Sequence, residues 1–331
     1  MPDHPLTSVG GGGVIVEDEG PAGEPEGVEE VASLGTARQR LAGASDADGL
    51  VYAIGGVVDG FDETSAVEQY DPSTDTWTTV SSMGTARREL AGASDADGLI
   101  YAIGGRSDAD NHESVVEQYD PATDTWVEVA SLGTGRNNLA GASDADGLIY
   151  AIGGTSDANT YESVVEQYDP STETWEDVAS LGTGRRRLAA ASDADGLIYA
   201  IGGDSDADDY ESVVEQYDPS TETWEDVASL GTGRQRLAAA SDADGSIYAI
   251  GGESDANTYE SVVEQLRLNP LFADAYSATG DTLFAADDPD AEILNRTTDR
   301  SVTDDSLIAR DGETIAWLVE SQARLYRTEE Q

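Results

Sequence analysis

Cysteine and lysine are absent from the 331-residue chain, and histidine occurs only as His4 and His112. Without cysteine there is no disulfide framework and no thiolate metal centre. Two isolated histidines give neither a histidine-based catalytic triad nor a multi-histidine metal site, so no metal or cofactor is expected. No apolar run reaches the roughly 18 residues that a membrane-spanning helix needs. The N-terminus has no basic segment followed by an apolar stretch and no twin arginine, so no export signal is expected. These absences point to a soluble, cytoplasmic protein, secreted only if the N-terminus is truncated. All 17 basic residues are arginine against 67 acidic residues, giving a formal net charge of −50. Such a field repels phosphate backbones, which argues against a nucleic-acid partner.

The acids are spread evenly and alternate with apolar segments such as Leu148-Ile149-Tyr150-Ala151-Ile152. That patterning argues for a folded chain, provided the repulsion is screened. At molar salt the Debye length falls to about 3 Å, which removes most of it. The lysine-free, aspartate-rich composition resembles that of haloarchaeal proteins, and the resemblance implies a protein that works in concentrated salt.

Self-similarity dominates what is present. The pair Gly55-Gly56 recurs as Gly104-Gly105, Gly153-Gly154, Gly202-Gly203 and Gly251-Gly252, at a constant spacing of 49 residues. Gly35 recurs at the same spacing as Gly84, Gly133, Gly182 and Gly231. Tyr70, Tyr119, Tyr168 and Tyr217 are each followed seven positions later by Trp77, Trp126, Trp175 and Trp224. Each unit predicts four strands. The first, exemplified by Arg185 to Ser192, is built of small residues, and Asp193-Ala194-Asp195-Gly196 turns the chain, the glycine supplying positive φ. Next comes Leu197-Ile198-Tyr199-Ala200-Ile201, a continuous apolar run of the kind expected for a strand covered on both faces. Ser212 to Tyr217 and Trp224 to Val227 supply the third and fourth strands, with Pro219 in the turn between them.

A four-strand unit cannot bury both its faces alone, and radial stacking of such sheets solves the problem. The order of double glycine, tyrosine and tryptophan resembles the kelch repeat. The resemblance implies an all-β, six-bladed kelch-type β-propeller, with the first strand of each blade innermost and the tyrosine and tryptophan packed between sheets. Five blades are clear and the sixth, C-terminal one is degenerate. Residues 1–27 read as a disordered acidic and glycine-rich lead-in, and 28–331 as the propeller, with repeats starting near 35, 84, 133, 182, 231 and 280. The fifth unit has Leu266 and Ala273 where tyrosine and tryptophan are expected. The sixth emerges from a gapped match of Thr282 to Leu294, then Ser306-Leu307-Ile308 and Trp317, the last in a fourth strand. Val31-Ala32-Ser33-Leu34 copies the end of a unit (Val178 to Leu181), so either 28–34 or the strand around Trp317 could complete the last blade.

The arginines are the candidate functional residues. Arg38, Arg87, Arg136, Arg185 and Arg234 recur once per blade just before the innermost strand, with Arg40, Arg187 and Arg236 beside them. Repetition per blade becomes a ring around the axis, here a basic collar on an acidic protein. Guanidinium groups bind carboxylate or phosphate bidentately. Arginines at this place grip acidic peptides in kelch substrate adaptors, so the resemblance points to a protein or small anionic ligand. Alanine at Arg136 and Arg185 is then expected to abolish binding and leave the fold intact. The same arginines could instead neutralise Asp108, Asp110, Asp157, Asp206, Asp208 and Asp255 in the loops after each double glycine.

Other chemistry finds less support. The Asp-x-Asp-Gly turns, such as Asp46 to Gly49, lack the later oxygen ligands of a calcium loop. Copper oxidases of the kelch class need histidines and a cysteine-linked tyrosine. A sugar epimerase or mutarotase remains as the enzyme alternative, with Glu89 as a candidate acid at the channel mouth. Near-identical repeats favour an interaction scaffold, because catalysis needs unlike residues to converge.

Overall fold

The computed structural model describes residues 31–266, apart from loop tips at 60–61, 108–110, 157–159, 206–208, 243–244 and 256–257. It also describes the backbone of strands at 292–293, 306–311, 314–319 and 324–329. The lead-in expected over 1–27 lies outside these residues, as do Ala273 and most of Thr282 to Leu294. Every regular element among the described residues is a strand.

The strands build the blades of a propeller. Blade 1 pairs Ala42–Ser45, Val51–Ile54, Val67–Asp71 and Thr76–Val80 in that order. Blades 2, 3 and 4 repeat the four-stranded antiparallel meander, and blade 5 contributes Ala238–Ser241, Ile247–Ile250 and Val263–Leu266. At the degenerate C-terminal unit, Glu292–Ile293, Ser306–Asp311 and Thr314–Val319 pair in sequence, and Trp317 stands opposite Ile308. Arg324–Glu329 adds a further strand there, with Tyr326 opposite Trp317, which the repeat pattern did not contain.

Small residues on the first strands let consecutive blades meet at the axis. A Cβ on Gly92 would stand 2.6 Å from the carbonyl oxygen of Gly43, and one on Gly141 would stand 2.8 Å from that of Gly92. The second strands are apolar throughout because each of their faces has a partner. Ile100 and Ala102 pack toward blade 1, whereas Tyr101 and Ile103 pack toward blade 3. That is the two-residue alternation of a pleated strand, read against two cores instead of one.

Polar groups inside this stack are satisfied locally. The Tyr101 hydroxyl donates to Asp95 Oδ2 at 2.8 Å and accepts from Gln118 Nε2 at 2.6 Å. Asp95 Oδ1 takes the amides of Asp97 and Leu99, so the first aspartate of each Asp-x-Asp-Gly turn is committed to its own hairpin. The tryptophans stitch blade to blade. Indole nitrogens of Trp126, Trp175 and Trp224 donate to the carbonyls of Ser81, Ala130 and Ala179 in the preceding blade, each at 2.8 Å. Trp77 makes the same bond to Ala32. Residues 31–34 thus hold, beside blade 1, the place that the end of blade 1 holds beside blade 2.

Candidate functional site

Both landmarks around the axis, the arginines and the double glycines, belong to one device. The side chains of Arg38, Arg87, Arg136, Arg185 and Arg234 are fully buried. Each is paired with a glutamate thirty residues later on the third strand of its own blade, namely Glu68, Glu117, Glu166, Glu215 and Glu264. Arg38 reaches Glu68 at 2.7 Å and Arg87 reaches Glu117 at 2.9 Å. The other glutamate oxygen takes a backbone amide, as Gly133 N to Glu166 Oε1 at 2.6 Å. A Cβ on Gly133 would stand 3.1 Å from that carboxylate, which accounts for the recurring glycine. Arg87 Nη1 also donates to the carbonyls of Gly104 and Val115, both at 2.8 Å.

The arginine backbone links blades as its side chain links strands. The amide of Gly105 donates to the carbonyl of Arg136 at 2.8 Å, and Gly154 to Arg185 at 2.9 Å. Gly104 has φ +59 and its pro-Cβ position lies 2.6 Å from that same Arg136 carbonyl, so only glycine fits. Burial pulls the Arg87 and Arg136 guanidinium pKa values downward, and the facing carboxylates of Glu117 and Glu166 oppose that pull.

Two residues further along, the chain forms a second and more open ring. Arg40, Glu89, Asn138, Arg187 and Arg236 all adopt left-handed backbone conformations, with φ between 52 and 57. Their backbones join hand to hand around the axis. Glu89 N donates to Arg40 O at 2.9 Å, and the links Asn138 to Glu89, Arg187 to Asn138 and Arg236 to Arg187 follow at 2.8 Å each. Left-handed non-glycine residues are costly and persist only where surrounding structure enforces them; here the enforcement is the ring itself.

Side chains of this ring project over a buried tier. Arg40 pairs with Glu89 at 2.9 Å, and Glu89 Oε2 also accepts from Asn137 Nδ2 at 2.8 Å. Arg187 donates to Gln235 Oε1 at 2.8 Å and stands 3.6 Å from Asp204 Oδ2. Arg186 Nε donates to that same Asp204 oxygen at 3.0 Å, and its guanidinium lies 4.6 Å from the centre of the Tyr161 ring. Arg236 pairs with Glu253 at 2.9 Å. Burial raises the Asp204 carboxyl above the ordinary carboxylate range, against the opposing charges of Arg186, Arg187 and Arg236. Burial, and then repulsion from Arg186, lowers Arg187.

The kelch motif matches residues 43–84, 87–133, 140–182 and 185–231, together more than half of the chain. The chain belongs to the kelch-repeat family. No curated protein matches it. A solved structure of YjhT is similar in fold, with a TM-score of 0.60 and 17% identity over 71% of this chain and 83% of that one. Kelch propellers commonly serve as interaction scaffolds.

Against this frame the eight arginines expected to line one collar separate into two groups. Arg38, Arg87, Arg136, Arg185 and Arg234 are interior struts, sealed from any ligand by the blades they join. Arg40, Arg187 and Arg236 stay open, with 41%, 20% and 49% of the side chain exposed. The struts are paired with third-strand glutamates. Asp108, Asp110, Asp157, Asp206 and Asp208 lie outside the described residues, and of Asp255 only the backbone is described. Glu89, the candidate acid, has both oxygens bound, by Arg40 on one side and by Asn137 and Asn138 on the other.

Two features escaped the sequence. The glutamate of each Val-Glu-Gln-Tyr strand looks like one more solvated acid, although its constant thirty-residue offset from an arginine was a usable signal. Asp204 sits at a position that differs in every blade, held elsewhere by Val57, Arg106, Thr155 and Glu253, so no repeat drew attention to it.

Proposed function

We propose that this kelch propeller is a binding scaffold whose axial mouth receives an anionic partner, a protein or small ligand, through Arg40, Arg187 and Arg236. One observation carries the proposal. Where the repeats meet the axis, the differing positions hold Arg40, Arg88, Arg106, Arg186, Arg187 and Arg236 against Glu63, Glu89, Asp204 and Glu253, with Arg88 3.3 Å from Glu63. A net positive mouth on a chain of charge −50 is a local inversion of the field, and a recessed patch of one sign concentrates ligands of the other. Guanidinium groups supply paired donors for carboxylate or phosphate.

Asn138 occupies the ring with the same left-handed backbone, so asparagine keeps the geometry and removes the charge. The variant Arg40→Asn/Arg187→Asn/Arg236→Asn is expected to retain its β circular dichroism and to lose capture of anionic partners in molar potassium chloride. Unchanged capture refutes the proposal.

A second reading, a sugar epimerase or mutarotase at the same mouth, is favoured by Asp204, a carboxyl whose proton affinity is raised beside two arginines. A screen of sugars for anomer or epimer interconversion, lost in Asp204→Asn, tests it.

The composition supports a haloarchaeal-type setting for either role. With repulsion screened over about 3 Å at molar salt the wheel is stable, and dilution into millimolar salt is expected to unfold it. Retention of the β signal after dilution refutes the halophilic assignment.

A further inference from the structure

We infer that Asp204 is the specificity-determining residue of the axial mouth, and that it selects anions bearing their own hydroxyl donors, a hydroxy carboxylate. The inference rests on the anion-binding proposal and adds what the partner must carry besides charge.

The mouth has two tiers, and their contacts fix the order. Three of the five ring members touch a residue of the buried tier beneath: Glu89 touches Asn137, Arg187 touches Asp204 and Gln235, and Arg236 touches Glu253. Within that lower tier Asn137, Thr155 and Asp204 are 3%, 2% and 2% exposed. Asn137 and Thr155 face each other in antiparallel register, and Arg186 and Asp204 occupy the equivalent pair one blade on. Each of the three side chains holds a buried atom without a hydrogen-bond partner: Asn137 Oδ1, Thr155 Oγ1 and Asp204 Oδ1.

In blades 3 and 4 the deficit is chemically one-sided, whereas Arg88 and Arg106, at the equivalent places in blade 2, hold unpaired Nε donors. A side-chain amide oxygen and a carboxylate oxygen can only accept, and a threonine hydroxyl can do either, so this part of the tier lacks donors. Arg186 and Arg187 meet only the Oδ2 side of Asp204. Buried acceptors left unpaired are costly and seek a partner. The ring above has the opposite character, with guanidinium donors in need of an acceptor. A plain carboxylate satisfies the ring and leaves the tier unpaired. A neutral polyol does the reverse. A carboxylate with hydroxyls on its neighbouring carbons answers both. Thr155 holds the equivalent place in blade 3, and Val57, Arg106 and Glu253 hold it in blades 1, 2 and 5, so the site is off the axis, at blades 3 and 4.

Gluconate and hexanoate test this directly. Both are six-carbon monocarboxylates, and only gluconate carries hydroxyls. Calorimetric titration of the full chain in molar potassium chloride is expected to show gluconate binding about tenfold more tightly. Asp204→Asn replaces the free acceptor with an amide and is expected to bring the two ligands within about threefold. Thr155→Val narrows the gap too, and carries the test if Asp204→Asn loses its β circular dichroism. Equal binding of the two ligands to the wild type overturns the inference, as does a preference unaffected by either substitution, the result if trapped water fills the tier. Binding of neither ligand, with partner capture still lost in the triple asparagine variant, overturns the role of Asp204 and leaves the anion-binding proposal standing.

Discussion

Arg87 Nη2 lies 2.9 Å from Glu117 Oε1 in a place where the arginine side chain is wholly shielded from water and the glutamate nearly so. The guanidinium gathers its own blade through Glu117, Gly104 and Val115, while its carbonyl accepts the amide of Gly56 in the blade before. Arg136 repeats the arrangement through Glu166, Gly153 and Val164 in its own blade and Gly105 in the blade before. Each of the five described blades therefore has a buried cation that its own third strand neutralises.

Removing one member of such a pair strands the other. Arg136→Ala is expected to cost about 3–5 kcal/mol, and the double variant Arg136→Met/Glu166→Leu less than that. Thermal denaturation of both variants in molar potassium chloride checks the order. A stable, fully folded Arg136→Ala would show that the strut is dispensable.

Two glycines with similar backbones separate conformational cost from steric cost. Gly49 has φ +80 and open space where a Cβ would stand, so Gly49→Ala is expected to cost about 1 kcal/mol. Gly104 has φ +59 and the Arg136 carbonyl 2.6 Å from its pro-Cβ position. Gly104→Ala should cost a further 1–3 kcal/mol or so, because the seam must open to admit the methyl group. Equal losses in denaturant titrations would contradict the close approach.

Trp126 packs on Tyr119 with ring centres 5.1 Å apart and donates its indole N–H to Ser81. Trp126→Phe keeps an aromatic ring and loses the donor, for an expected cost of about 1 kcal/mol. At Trp77 the same change should free residues 31–34, visible as faster amide exchange at Ala32 without a large shift in melting temperature.

Asp124 gives the stability a pH dependence of known sign. Its Oδ1 accepts the Ser81 amide at 2.8 Å and the Tyr119 hydroxyl at 2.9 Å, which hold its pKa below the ordinary carboxylate range. A lowered folded pKa means that stabilisation is present above the unfolded pKa and disappears as pH falls through the folded one. The melting temperature of wild type should exceed that of Asp124→Asn at neutral pH, with the gap closing on acidification. A gap that widens toward acid pH would reverse the assignment.

Repetition made the fold legible. Continuous apolar runs, the Asp-Gly turns and the double glycines locate the strands of blades 1 to 4 to within a residue or two. The site was less so. Arg185 and Arg187 are both arginines in the same short segment, and nothing local separates one that is buried from one that is 20% exposed. Their difference lies in where neighbouring blades fall, and that is a property of the stack.

The sequence by itself determined a kelch wheel of acidic blades with small residues at its centre, because strand period, turn chemistry and repeat spacing are local properties. Only the tertiary structure decided which arginines stay exposed. Burial and pairing depend on residues thirty and forty-nine positions away. Stacking the blades drew five arginines into the interior and left Arg40, Arg187 and Arg236 open, Arg187 and Arg236 beside Asp204.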